Sequence, residues 1–498
     1  MMMNTIKVTF FLILSLVVFV LGSCSDNQAV RLRYEVEKLY YQAIKQVDND
    51  LAKSAMTRSE RLKAAASRFG DVWQFSLNAL DSIDSKAYPV ERREVEYLAF
   101  RAVNKLSQLH FSVRHYDTCV KILNRLMTVV PLDNSPLVTT MLNLGQAIQA
   151  SGSWDSALVV YDSAIERFYP PVDETGQVIH SLLGLPLHIF RVVNVIGDST
   201  AARERFDSAE RYYRDLINQS SLSKVVVASR ISLARLYEHT GQWEQVIAEL
   251  SPLADSTVDN YLDARIRIAD VYATRLRKSA RAQSMYEEIL NEIGSSDTLL
   301  RPQVLFKLSI VMLDQKKYTE ARGILVDIKR NYPGYYSITP LTQLNMARTF
   351  ELSGNWSRAE TEYEFLIEKY RGSDEAMSTF LYLADHLEEQ GREDESDKWR
   401  RDAEHYYDRV AVKGTGTMME ARALVYKAEL FYRKADWETS AAILIELFEK
   451  FPDSNQGQEA ALRAAAMYRN KLNDPDRADT LLERLRSSLI QINSDWGA

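Results

Sequence analysis

Apolar residues run almost unbroken from Val8 to Leu21, with only Thr9 and Ser15 interrupting them. At about fourteen residues this run is shorter than the roughly twenty a membrane-spanning helix needs. It follows a short segment, Met1 to Lys7, carrying one positive charge. A charged start, an apolar middle and small residues at the end are the order of a secretory leader. Beyond it the apolar positions recur every three or four residues, which predicts amphipathic helices and no strands. Tyr34 to Asp50 forms one such stretch and Thr57 to Ile83 another. From about residue 94 onward the helical stretches are short and separated by turns.

Those turns share a pattern: a small or polar residue, a spacer, an aromatic, two polar residues, then a small residue. It reads Gly152-Ser153-Trp154-Asp155-Ser156-Ala157, and again Gly241-Gln242-Trp243-Glu244-Gln245-Val246. It returns at Gly354-Asn355-Trp356-Ser357-Arg358-Ala359 and Ala435-Asp436-Trp437-Glu438-Thr439-Ser440. Tyrosine forms are Arg114-His115-Tyr116-Asp117-Thr118-Cys119 and Lys316-Lys317-Tyr318-Thr319-Glu320-Ala321. In five of these six units an apolar–small dipeptide lies nine residues earlier: Leu144-Gly145, Leu233-Ala234, Leu308-Ser309, Met346-Ala347 and Leu106-Ser107. Proline often closes the unit, as at Pro131, Pro170, Pro333 and Pro452.

These residues resemble the tetratricopeptide-repeat family, whose helix–turn–helix unit is about 34 residues long. Tyr318 and Trp356 are 38 positions apart, so the loops between units are longer here. The resemblance implies an all-α fold, an α-α superhelix (solenoid) of tetratricopeptide-type helix pairs with about nine or ten repeats. Its physics is legible in the residues. Small residues let two helices approach, glycine takes the positive φ of the turn, and the aromatic fills the gap between a repeat and its neighbour. Weaker units are marked by Ile268-Ala269 with Tyr286, by Leu383-Ala384 with Gly391, and by Ala464-Ala465 with Ala478. The first helix of the segment from about 177 to 219 matches poorly. Lys413-Gly414-Thr415-Gly416-Thr417 reads as a hinge.

The end of the leader, Leu21-Gly22-Ser23-Cys24, resembles the lipobox of bacterial lipoproteins, where the cysteine takes a diacylglycerol and becomes the mature N-terminus. More than one acyl chain gives stable anchoring. Ser25 in the second mature position resembles lipoproteins sent to the outer membrane, and Ser25-Asp26 partly resembles a surface-export signal of Bacteroidota lipoproteins. The expected organisation is a signal peptide at 1–23, a lipidated tether at 24–33 and an N-terminal helical cap or degenerate repeat at 34–93. The repeat superhelix then covers 94–490, and 491–498 is a tail.

Composition narrows function. The 498 residues carry a formal charge of -7, and removal of Lys7 with the leader takes this to -8. That balance lacks the basic stripe of a nucleic-acid binder. With Cys24 lipidated, Cys119 has no partner for an intramolecular disulfide, and its alanine-like register makes it a small packing residue. His110 and His115 read as packing or surface residues, their spacing being poor for two ligands on one helix face. No phosphate loop, nucleophile elbow or zinc pair appears, so no enzyme, cofactor, metal or small-molecule substrate is expected.

Function then rests on surface. The resemblance implies that the first helix of each repeat lines a concave face that holds a partner peptide or helix. The residues so placed by register are Gln146, Gln149, Arg235, Glu238, Asp270, Arg348, Glu351, Asp385, Glu388, Glu429 and Tyr432. Arg235/Glu238 and Arg348/Glu351 repeat one Arg-x-x-Glu spacing, although pairs three apart on a helix surface are common. The expectation is a scaffold of the bacterial cell envelope, lipid-anchored in the outer membrane and facing the periplasm, that binds envelope proteins. It resembles in architecture the helical lipoprotein subunit of the outer-membrane β-barrel assembly machine. The alternative is a glycan-capturing SusD-like lipoprotein of an uptake system, whose long loops rich in Gly, Asn and Trp this chain lacks.

Overall fold

The computed structural model describes residues 28–48, 58–169, 176–197, 199–295, 297–335, 338–452 and 454–494. The leader, the lipobox with Cys24, and Pro170 lie outside them. The described residues are helical, with no strand among them. They form two compact units that divide between Leu236 and Tyr237.

The first unit opens with α1 (28–48), which starts inside the stretch read as tether, and α2 (Arg58–Ser82). Both bury an apolar stripe: Val36 and Tyr40 of α1 join Phe69, Val72 and Trp73 of α2 in one core. That core continues into α3 (Pro89–Ser112) and α4 (Tyr116–Val129), then α5 (Asn134–Ala150) and α6 (Trp154–Arg167). Next come α7 (Gln177–Leu182), α8 (Leu185–Ile196) and α9 (Ser199–Gln219), and α10 (Ser223–His239) holds the division.

The second unit carries α11 (Trp243–Leu250), a 3-10 turn (Ser251–Leu253), α12 (Tyr261–Thr274) and α13 (Ser279–Glu292). It continues with α14 (Leu300–Asp314), α15 (Tyr318–Asn331), α16 (Thr339–Leu352) and α17 (Trp356–Lys369). The last helices are α18 (Asp374–Glu389), α19 (Glu393–Lys413), α20 (Met418–Arg433), α21 (Trp437–Lys450), α22 (Asn455–Asn470) and α23 (Pro475–Ser494). Within each unit, successive helices pack as hairpins against their sequence neighbours.

The turn pattern does what its residues require. Tyr116, Trp154, Trp243, Tyr318, Trp356 and Trp437 are each the first residue of a second helix. Three of them reach into the next repeat. Trp243 carries the Arg275 guanidinium 4.9 Å from its ring centre, Trp437 carries the Lys471 ammonium at 5.0 Å, and Trp356 stacks on His386 at 4.1 Å. The aromatic is thus the joint between repeats.

Gly152, Gly241 and Gly354 take positive φ in these turns, but Arg114, Lys316 and Ala435 hold the same left-handed conformation at φ 64, 61 and 55. An L side chain there costs about 1–2 kcal/mol. Glycine removes that strain and returns part of it as extra freedom in the unfolded chain, about 0.4–1 kcal/mol. Ala435→Gly is therefore expected to stabilise the chain by about 0.5–1 kcal/mol, read as a higher melting temperature. A lower one would refute the strain.

The stretch read as a hinge is instead bonded on every side. The Thr417 hydroxyl oxygen caps α20 by accepting from Met419 N–H, and Gly416 N–H donates to the Glu420 carboxylate at 2.6 Å. Glu420 is buried and also accepts from Lys450 Nζ at 2.7 Å. That ammonium, with the Gly416 amide, holds the Glu420 carboxyl below its ordinary range.

Candidate functional site

Polar groups on neighbouring first helices meet across the seam between repeats. In the second unit these groups pair in series. Arg267 of α12 donates to both carboxylate oxygens of Glu238, at 3.0 and 2.7 Å. Lys307 of α14 does the same to Asp270, at 2.9 Å to each oxygen. Arg433 of α20 bonds Asp385 of α18 and, on its own helix, Glu429 at 3.1 Å. Glu429 in turn accepts from Arg463 of α22 at 3.2 Å. All of these side chains are half-exposed, so each pair contributes only about 0.2–1 kcal/mol. Their main effect is register: every pair fixes one repeat against the next.

Four of the carboxylates expected on the partner-binding face therefore have partners within the chain. Glu388 is also engaged, by Arg400 of the second helix in its own hairpin. The Arg-x-x-Glu spacing does not act as a local pair. Glu238 turns to Arg267, and Glu351 turns to an aromatic group.

That group surrounds Glu351 with hydroxyls. Tyr363 donates to one carboxylate oxygen at 2.5 Å and Tyr382 donates to the other. His386 Nδ1 lies 3.9 Å away, under the stacked Trp356 ring. Burial first, and then the bond to the anionic Glu351, pushes both tyrosines well above their ordinary value. For Tyr363 the opposing influence is Arg348, which is exposed and has no ion-pair partner among the described residues.

In the first unit Gln149 accepts from the Tyr161 hydroxyl at 3.1 Å and lies 2.7 Å from His188 Nε2. The His188 ring stands edge-on to Tyr161 at 5.4 Å, and burial lowers its pKa. Gln146 and Arg235 are exposed. Tyr432 packs edge-on against Trp437 at 4.7 Å. Of the eleven positions read from register, the exposed ones without an ion-pair partner among the described residues are Gln146, Arg235 and Arg348.

Cys119 is buried and its thiol donates to the Ser107 carbonyl at 3.2 Å. Ser396 and Ser440 make the same bond to a carbonyl twelve residues earlier, Ala384 and Ala428, at 2.8 and 2.7 Å. The cysteine is thus one of a series of small residues that tie a second helix to its first. Burial pushes its thiol up to about 12, which makes it a poor nucleophile at neutral pH. His110 and His115 stack with ring centres 5.8 Å apart. Among the described residues no group of His, Cys, Asp and Glu is placed to hold a metal. None of the described helices is long and apolar enough to cross a membrane.

A tetratricopeptide-repeat model matches residues 303–335 and 422–454, the α14–α15 and α20–α21 hairpins with the turns that follow them. Those two hairpins are helix pairs of the tetratricopeptide type. The fold is accordingly an all-α solenoid of such pairs, the class the turn pattern implied, and such a repeat scaffold is suited to protein–protein interaction. No curated protein matches the sequence. Among solved structures, the apo form of RapI is similar at 14% identity and a TM-score of 0.41, over 75% of this chain and 98% of that one. Yeast Tom70 is similar at 14% identity and a TM-score of 0.36, over 95% of each chain. The apo quorum sensor NprR of B. thuringiensis gives 12% identity and 0.34, over 72% of this chain and all of that one.

Proposed function

We propose that this chain is a scaffold of the bacterial cell envelope that binds partner proteins through the first helices of its tetratricopeptide repeats and has no catalytic role. The observation that carries the reading is the use of charge along those helices. Internal pairing consumes Glu238, Asp270, Asp385 and Glu429 and leaves Gln146, Arg235 and Arg348 exposed. A partner segment with carboxylates or amide oxygens would complement the exposed groups. The leader and Leu21-Gly22-Ser23-Cys24 support a lipid anchor on the outer membrane, facing the periplasm.

The test is a cross-linked capture from native membranes with three forms: intact, Cys24→Ala and Arg348→Glu. The intact chain is expected in the membrane fraction with a defined set of envelope proteins. Cys24→Ala should move it to the soluble fraction, and Arg348→Glu should keep it in the membrane but deplete the captured set at least fivefold. Membrane retention of Cys24→Ala would remove the lipid anchor. An unchanged captured set with Arg348→Glu would remove the first-helix face.

A further inference from the structure

The two long second helices α9 and α19 are each 21 residues and carry one motif in the same place. It reads Ala209-Glu210-Arg211-Tyr212-Tyr213 in α9 and Ala403-Glu404-His405-Tyr406-Tyr407 in α19. The second tyrosine does the same work in both. Tyr213 donates to the Leu183 carbonyl at 2.8 Å and Tyr407 to the Met377 carbonyl at 2.7 Å, each thirty residues upstream. The first tyrosine in both lines a cleft against the C-terminal end of the preceding second helix, α6 in one unit and α17 in the other.

The two clefts differ in what meets that first hydroxyl. In the second unit Gly372 N–H donates to the Tyr406 hydroxyl at 3.2 Å. In the first unit Tyr212 is only 5% exposed and its hydroxyl has no hydrogen-bond partner among the described residues. A buried hydroxyl left without a partner is costly unless something bonds it.

The charge of the clefts differs too. Glu368 and Asp402 in the second unit face Arg371, Arg409 and Lys413. In the first unit Asp162, Glu166 and Asp215 face Arg205 and Arg211, an excess of one negative charge. Arg205 is neutralised by Asp162, to which it donates at 2.6 and 2.8 Å. Asp215 accepts from the Tyr169 hydroxyl. Glu166 is exposed and has no ion-pair partner among the described residues. The rings of Tyr169 and Tyr212, 5.8 Å apart, flank a cavity of about 320 Å³.

We propose that this cleft between α6, α8 and α9 is a binding site for a basic side chain, lysine or arginine, of a partner peptide. Its N–H supplies to Tyr212 the hydrogen bond that Gly372 supplies to Tyr406. The carboxylates of Glu166 and Asp215 balance its charge, and the tyrosine rings attract the cation. The site goes beyond the scaffold reading and uses none of the residues assigned to the first-helix face, so either can fail alone.

The test is saturation-transfer NMR and calorimetry on the full chain with acetyl-Gly-Lys-Gly-amide and its norleucine and glutamate counterparts. The lysine peptide should bind and the other two should not. Tyr212→Phe should weaken the lysine peptide at least fivefold while its circular dichroism and melting temperature stay at or above those of the unaltered chain. Glu166→Gln should also weaken it, and Tyr406→Phe should leave binding unchanged. Equal binding of the norleucine peptide, no binding of any peptide, or full binding by Tyr212→Phe would each overturn the proposal.

Discussion

Gly145→Ala is expected to destabilise the α5–α6 hairpin by about 3 kcal/mol, the upper part of the usual cost of overpacking. A Cβ at that position would lie 2.2 Å from Tyr161 Cε1, closer than any real contact. The ring cannot simply turn away. Tyr161 is 1% exposed, its hydroxyl is held by Gln149, and His188 stands edge-on against it. The comparison that sharpens the prediction is internal. Ala347 and Tyr363 hold the same two positions in α16 and α17, so that hairpin accommodates a methyl group under its tyrosine. In α5–α6 the ring rests on bare backbone, and the methyl must push the helices apart. Repeats contact mainly their neighbours, so the damage should stay local. Hydrogen exchange read on peptides from 134–167 should show protection falling by about a hundredfold, with the α20–α23 peptides unchanged. If the hairpin relaxes to the Ala347 geometry without cost, exchange will not change, and the close approach is not a constraint.

The repeat was legible because its signals are local. Each second-helix aromatic stands beside its turn, and the apolar–small dipeptide lies one helix length before it. The residues around each turn therefore suffice to place Trp154, Trp243, Trp356 and Trp437 at the starts of their helices. The candidate face was less legible. Register placed Glu238, Asp270, Asp385 and Glu429 on the first helices, but not their pairing with Arg267, Lys307, Arg433 and Arg463, which lie 29 to 48 residues away. A three-residue spacing such as Arg348-x-x-Glu351 is visible in sequence, whereas the Tyr363 and Tyr382 hydroxyls that take up Glu351 are not. The poor match at 177–196 also has a physical cause. The first helix there is broken into α7 and α8, and the Tyr213 hydroxyl spans the break, donating to Leu183 O and accepting from Leu187 N–H. A tertiary bond replaces the local signal. The signal that could have exposed the Tyr212 cleft was the repeated Ala-Glu-x-Tyr-Tyr motif.

The largest expected response to conditions is at high pH. Tyr161, Tyr213, Tyr286, Tyr363 and Tyr407 are among the most buried side chains of the protein. Burial is the leading cause of a raised pKa for each, and Tyr161 is pushed up to about 12. For Tyr286 and Tyr363 the carboxylates they bond, Asp270 and Glu351, raise the pKa further. In the unfolded chain these phenols ionise near 10. Above that pH the unfolded state holds fewer protons than the folded one, so stability falls as pH rises. The loss begins near pH 10 and continues through the folded value. Each tyrosine contributes about 1.4 kcal/mol of it for every tenfold by which the fold weakens its acidity. Several such groups acting together are comparable with the roughly 5–15 kcal/mol that holds a typical fold. The chain should therefore lose its helical circular dichroism cooperatively between about pH 10 and 12. Absorbance at about 295 nm, where phenolate absorbs, should rise in two phases. The second phase belongs to the buried set, which ionises only as the helices melt. A single phase near pH 10 with helicity intact would mean that water reaches the buried hydroxyls, and the interior of these repeats would then not be the closed packing that holds the hairpins together.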